Sequence, residues 1–183
     1  MALLTTTIGA FPKPDYVPVV DWFKAEDSTV DEDPTSRYED ELARMGEEAE
    51  GIFTRAARDV INDQVSCGID IPTDGEVRRE NYIHYHCRHL NGIDFTTLTD
   101  TVLREGAYKA RLPTITGPVS AMDHFLPHDY RVAQATTDKP LKVTIPGPMT
   151  IGDTVADSYY GDEKKRGQEL ATALNAEVLA LAE

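Results

Sequence analysis

A chain of 183 residues is long enough for one ordinary domain with a real core, but it falls short of the ~250 residues usual for a closed eight-stranded α/β barrel. Its formal net charge of -14, from 32 acidic and 18 basic residues, opposes binding to nucleic acid or to an anionic membrane. Two cysteines, Cys67 and Cys87, make no C-x-x-C pair and no disulfide framework. The first ten residues lack a basic region, and no stretch approaches the ~20 apolar residues that span a bilayer, so a cytoplasmic protein is the expectation.

Residues 3–10 read as a first strand, because Thr5, Thr6, Thr7 and Ile8 are β-branched and Gly9 permits a tight exit. Phe11-Pro12-Lys13-Pro14 stops regular structure, and a short apolar patch surrounds Trp22. Residues 24–36 are polar and acidic and are expected to form a mobile loop. Ser36 and Glu39 have capping-box spacing, and the apolar period from Leu42 to Val65 predicts one long helix over residues 38–67 with Gly68 as its C-cap. Met45 and Phe53 fall on its core face.

Residues 69–76 read as a second strand. If that strand persists, Asp74 and Glu76 point to one side, a carboxylate pair able to share a proton, bind an amine or hold a metal. Arg78 and Arg79 follow, suited to neutralising the pair or gripping an anionic substrate. Residues 78–90 are compatible with a helix carrying Tyr82, Ile83, His86 and Leu90 on one face. The cluster His84, His86, Cys87 and His89 lacks the spacing of a structural zinc site, so no metal ligand is assigned there.

Residues 95–107 read as a lid or a β-excursion, and 112–117 as a short strand closed by Gly117-Pro118. Residues 129–136 open a helix with Val132 and Ala133 inward. In residues 140–146, Leu141, Val143 and Ile145 alternate with Lys142 and Thr144, a strand ending at Gly147-Pro148. Two Gly-Pro pairs at matched strand ends suggest a pocket floor, with Asp153, Tyr159 and Tyr160 on a wall. Residues 151–160 suggest a short helix at the cleft edge. Asp162 then caps a last helix with the stripe Leu170, Leu174, Val178 and Leu181.

This alternation of strands and helices fits parallel α/β units joined by crossovers. The helical pattern runs to Glu183 without an evident C-cap, as expected of a fragment of a longer barrel chain or of a chain completed by a second one. No G-x-G-x-x-G, P-loop or G-x-S-x-G motif is present, so dinucleotides, nucleotide phosphates and serine hydrolysis lose their usual support.

Four stretches occur in a telling order: T-T-T-I-G-A-F-P (residues 5–12), D-G-E-V-R-R-E-N (74–81), L-P-T-I-T-G-P-V (112–119) and K-P-L-K-V-T-I-P-G-P-M-T-I (139–151). Together they resemble the C-terminal catalytic barrel of cobalamin-independent methionine synthase and its shorter single-barrel relatives. The resemblance implies an α/β fold, the N-terminal half of a (βα)8 TIM-type barrel, completed by another chain, by a C-terminal half or as a homodimer. It implies methyl transfer from a methylated folate polyglutamate, or a similar carrier, to the sulfur of homocysteine or a related thiol.

Carried over residue by residue, Ile8, Gly9 and Ala10 match the family stretch that holds the amino-acid substrate, with Ala10 in place of a serine. Glu76 matches the glutamate that contacts the substrate amino group, and Asp74 replaces the family's histidine. Gly147, Pro148, Met149, Thr150 and Ile151 match a stretch near the folate pocket, but the tryptophan that follows it in the family is missing here. The family's zinc ligands come from later strands and are expected outside this chain. The binding set is therefore Ile8, Gly9, Ala10, Glu76, Arg78, Gly117, Gly147, Pro148, Met149, Thr150 and Asp153, with Glu76 and Asp74 as catalytic candidates. Other expectations from the barrel superfamily are corrinoid or coenzyme M methyl transfer and uroporphyrinogen decarboxylase-like chemistry. Outside catalysis, the alternative is a half-barrel binding subunit.

Overall fold

The computed structural model of the chain describes residues 3–20, 34–103 and 108–183. Trp22 and residues 24–33 of the expected acidic loop lie outside the described residues. The chain divides into two compact units, Met1–Tyr82 with Leu126–Thr144, and Ile83–Phe125 with Ile145–Glu183.

In the first unit, α1 (Pro34–Met45) begins on a proline, whose missing N–H would have had no partner in the first helical turn. It starts two residues ahead of the Ser36–Glu39 box, in sequence read as loop. The single long helix expected over 38–67 is interrupted. Gly46 takes φ +52°, and a 3-10 turn over Gly46–Glu48 separates α1 from α2 (Ala49–Ser66). Met45 is half-buried rather than core, whereas Phe53 is buried. The stripe of α2 is Phe53, Ala56, Ala57, Val60, Ile61 and Gln64, the spacing of one helical face. Burying each of the larger apolar members contributes about 1.5–3 kcal/mol. Gly68, at φ +86°, ends the helix as its position predicts.

Past Gly68 the chain enters a parallel arrangement. Thr6 pairs with Ile71 and Thr73 with Lys142, through Ile71 N–H to Thr5 O (3.0 Å) and Lys142 N–H to Pro72 O (2.9 Å). The strands expected over 3–10, 69–76 and 140–146 are thus isolated bridges between extended segments. Pro72 cannot donate within the middle segment, and Pro140 and Pro146 bound the third. α4 (Leu126–Gln134) begins three residues before the expected 129, with Ala133 buried and Val132 half-buried.

On α1, Glu41 is only 4% exposed. Among the described residues its Oε2 finds no partner, and the Arg37 guanidinium stands 3.7 Å from Oε1. Burial raises its pKa above the usual 4.5, only partly offset by a hydrogen bond from the Val20 backbone and by the nearby arginines. For an acid whose folded-state pKa is raised, stability is lost as pH climbs from 4.5 through the folded value. Glu41→Gln should therefore raise the melting temperature at pH 7 by about 2–4 °C, the shift that ~1 kcal/mol gives a chain of this size. The gain should vanish in melts below pH 4.5.

In the second unit, α3 (His84–Cys87) is a single turn, much shorter than the helix considered over 78–90. β1 (Leu90–Leu103) pairs antiparallel with β2 (Tyr108–Ala121), and β2 pairs parallel with the two-residue β3 (Ala156–Asp157), giving the order β1-β2-β3. The stretch from residue 95 is accordingly a β-excursion as far as Leu103. Purely parallel units are not what this sheet contains. The short strand expected over 112–117 is part of a 14-residue strand, and Gly117-Pro118 sits inside it rather than at its end. The register jumps there, from Asn91↔Ser120 to Ile93↔Ile115, opposite Gly92. Gly92 has φ +85°, and a Cβ on it would stand 2.5 Å from Pro118 O and 2.8 Å from Gly117 O, so only glycine fits against this bulge.

α5 (Pro148–Gly152) and β3 replace the helix expected over 151–160. α6 (Glu163–Ala182) starts as predicted, with Asp162 accepting from Lys164 N–H (2.9 Å) and Lys165 N–H (3.0 Å). Ile83, Cys87, Leu90, Ile115, Val119, Ile151, Val155, Leu170, Ala173 and Leu174 form one buried cluster. Val178 of the expected stripe is exposed, because α6 turns Glu177 inward instead. The whole is a mixed α/β fold.

Candidate functional site

The middle segment of the first unit leaves its ladder at Thr73 and turns sharply. Gly75 has φ +71° and Glu76 φ +56°, the one non-glycine residue with positive φ among those described. That conformation costs an ordinary L-residue about 1–2 kcal/mol, so surrounding bonds must hold it. They are on hand. Gly75 N–H donates to Thr73 Oγ1 (3.1 Å), Glu76 N–H to Asp74 Oδ1 (3.1 Å), and Arg79 N–H to Glu76 O (3.0 Å). The expectation that Asp74 and Glu76 share one side of a continuing strand is thereby corrected. The strand stops before them, and the Asp74 carboxylate closes the turn that aims Glu76.

Glu76 is 8% exposed. Its Oε1 accepts a hydrogen bond from Thr144 Oγ1 (2.6 Å) and lies 3.6 Å from Arg79 Nη1. Arg79 Nη1 in turn donates to Thr144 Oγ1 (2.9 Å) and Thr144 O (3.1 Å). No described residue bonds the second carboxylate oxygen, Oε2. Gly9 closes the other side. A Cβ built there would stand 2.5 Å from Glu76 Oε1 and 2.8 Å from Thr144 Cγ2, so the backbone approaches the carboxylate as only glycine allows.

Gln64 holds these segments in register. It is 1% exposed in the stripe of α2. Its Oε1 accepts from Thr73 N–H (3.0 Å) and Thr7 Oγ1 (2.9 Å), and its Nε2 donates to Thr73 O (2.8 Å) and Val60 O (3.2 Å). Thr73 Oγ1 donates to Gly9 O (2.8 Å), Phe11 N–H to Gly75 O (3.0 Å), and Lys142 Nζ to Thr7 O. The sequence pattern alone does not single out Gln64 or Thr144. The available signals were an amide in phase with an apolar helical stripe and a hydroxyl on the polar phase of an alternating strand.

Arg78 is placed differently from Arg79. Its guanidinium forms a fork to Glu50 (2.8 and 2.7 Å), stands 3.5 Å from Asp129 Oδ1, and lies over the Phe53 ring. The bond from Arg78 is the main reason the Glu50 carboxyl titrates below its usual range. Stability from this pair is present above pH 4.5 and is lost as pH falls through the depressed value. The fork considered for an anionic substrate thus ties α2 to the segment after Glu76. Ile8, at 95% exposure, and Ala10 flank Gly9 on the surface.

The remaining candidates lie in the second unit. Gly147 is the N-cap of α5 and Pro148 its first residue. Thr150 is half-buried, Met149 is 68% exposed, and Asp153 is an exposed C-cap whose N–H donates to Met149 O (2.9 Å). Gly117 is in the β-bulge, so the two Gly-Pro pairs are not equivalent strand ends. His84 Nε2 bonds Thr154 O (3.0 Å), and His89 Nδ1 bonds Asp123 Oδ1 (2.9 Å) while its ring stacks on Phe125 at 3.9 Å. His86 packs edge-on against Phe125, and Cys87 is buried in the apolar cluster. Among the described residues, no group of three His, Cys, Asp or Glu side chains stands together to hold a metal ion. No described helix is long and apolar enough to cross a membrane.

Residues 3–183 match the family described as the catalytic domain of cobalamin-independent synthase. Among curated proteins, the chain is 29% identical to a methionine synthase of Sulfolobus acidocaldarius, over 96% of this chain and 47% of the relative. It is 28% identical to a methionine synthase of Saccharolobus solfataricus, over 99% and 49%. The chain therefore spans about half the length of the curated relatives it matches. Among solved structures it superposes on a B12-independent methionine synthase from Shewanella sp. W3-18-1, in complex with selenomethionine. The TM-score is 0.79 at 33% identity, covering 99% of this chain and 49% of that one. Motifs, fold and family match agree, and the chain belongs to the catalytic-domain family of cobalamin-independent methionine synthases.

Proposed function

We propose that the chain is the amino-acid-gripping part of a methyltransferase of the methionine synthase type, which moves a methyl group from a methylated folate or similar carrier to the sulfur of homocysteine or a related thiol. The observation that carries this reading is the Glu76 carboxylate. It is largely buried, with one oxygen fixed by Thr144 and the other bonded by no described residue. A carboxylate so placed accepts a charge-assisted hydrogen bond from an α-ammonium group, a stronger contact than a neutral one. The relative solved with selenomethionine, at 33% identity, supports an amino-acid ligand.

In this reading Gly9 and Ala10 offer backbone to the same ligand, and Ile8 offers apolar surface to its methylenes. Asp74 holds the turn, and Arg78 braces it through Glu50. The segment Gly147–Thr150, with Asp153 after it, serves the methyl carrier, and Gly117 shapes the β-excursion. The chain acts as the N-terminal half of a (βα)8 barrel in the cytoplasm, completed by a second chain, by a C-terminal half or by another copy. Coverage of about half of each relative supports this. The zinc implied by the resemblance has no fitting donor set among the described residues.

Calorimetric titration of the protein as purified, with L-homocysteine and with 4-mercaptobutanoate, tests the reading. The two ligands differ only in the amino group. Homocysteine should bind at least about tenfold tighter, the ~1.4 kcal/mol of a single charge-assisted bond. Equal affinities, or no binding of either, would sink the proposal.

A further inference from the structure

We infer that Thr144 is a positioning residue for ligand recognition, setting the direction in which Glu76 presents its unbonded oxygen. The inference rests on the amino-group grip proposed above and goes beyond it. An arginine has only donors, so in the contact with Arg79 Nη1 (2.9 Å) the Thr144 hydroxyl must be the acceptor. Its single proton is then committed to Glu76 Oε1, 2.6 Å away. The order Arg79 N–H to Thr144 O–H to Glu76 Oε1 admits no reversal. Arg79 donates from the same nitrogen to the Thr144 carbonyl (3.1 Å), gripping the residue by side chain and backbone together.

The other branch of Thr144 fixes its rotamer. Cγ2 lies where a side chain on Gly9 would begin, 2.8 Å from a Cβ built there. A β-branched residue has few χ1 choices, and with the methyl set against Gly9 the hydroxyl faces Glu76. Glu76 itself stands on a left-handed turn held by Asp74. Backbone and one oxygen are therefore both constrained, which leaves Oε2 with a defined direction. A residue that only supported the fold would leave the preference between ligands untouched. A positioning residue changes the preference for the ligand that carries the ammonium group.

The test measures the ratio of affinities for L-homocysteine and 4-mercaptobutanoate in Thr144→Val, Thr144→Ala and Thr144→Ser, with thermal melts on each. The ratio should fall about tenfold in the first two, the loss expected when a hydrogen bond to a charged group is removed, and should stay within about threefold of the parent in the serine variant. A parent ratio well above one that persists in folded Thr144→Val and Thr144→Ala overturns the inference and leaves the proposed grip standing. If Thr144→Val does not fold, the alanine and serine pair decides in the same way. A parent ratio near one removes the grip, and this inference with it.

Discussion

Glu76→Gln is expected to weaken L-homocysteine binding by more than about tenfold while leaving 4-mercaptobutanoate binding nearly unchanged. Glutamine keeps the length and shape of glutamate, so the turn and the Thr144 contact survive. Thr144 Oγ1 can still donate to an amide oxygen in the place of Oε1. What changes is the other terminal atom. In the parent it is a carboxylate oxygen that attracts an ammonium, and in the variant it is an NH₂ group that opposes one. At 8% exposure water does not screen the difference well, so the effect belongs at the upper end for one charged hydrogen bond. The melting temperature should move little. Calorimetry showing unchanged homocysteine affinity would remove Glu76 from its assigned role.

Gly9→Ala is expected to have the second large effect, on stability and binding together. The added methyl would meet Glu76 Oε1 at 2.5 Å and Thr144 Cγ2 at 2.8 Å, both closer than real contacts allow. The carboxylate is the far end of a flexible side chain and can swing away. The Thr144 methyl sits on a short, stiff side chain and moves only with its backbone. Overpacking of this kind costs about 1–3 kcal/mol, a drop in melting temperature of several degrees. Displacing Glu76 should also cost more than about tenfold in homocysteine affinity. Retention of both melting temperature and affinity in the variant would mean that the backbone at residue 9 can retreat, and that the tight approach is not what orients Glu76.

Sequence patterns were most informative where one local rule acts alone. The cap at Asp162 and the helix end at Gly68 follow from residue chemistry within a few positions, and the structure has both. The stripe of α2 was legible from its period, but the break at Gly46 was not, because a glycine inside a helical pattern is compatible with either outcome. The long β1–β2 pair was missed in extent because its register jump at Gly92 and Gly117 is a non-local fit between two strands. At the site, Glu76 was found from its neighbours in sequence. Gln64 reaches Thr7, 57 positions away, and Thr144 acts through Arg79 and Glu76, 65 and 68 positions away, which no local window can see. Arg78 and Arg79 looked interchangeable side by side. The turn sends one to Glu50 and the other toward Thr144.

The left-handed backbone at Glu76 has a consequence for anyone who would evolve this protein toward heat resistance. Glycine and asparagine both tolerate φ +56° better than glutamate does. A library selected on melting temperature alone will therefore drift at this codon toward those two residues, gaining robustness while discarding the one carboxylate that the surrounding bonds are arranged to aim. Selection has to include a binding step from the first round, because here durability and recognition pull the same position in opposite directions.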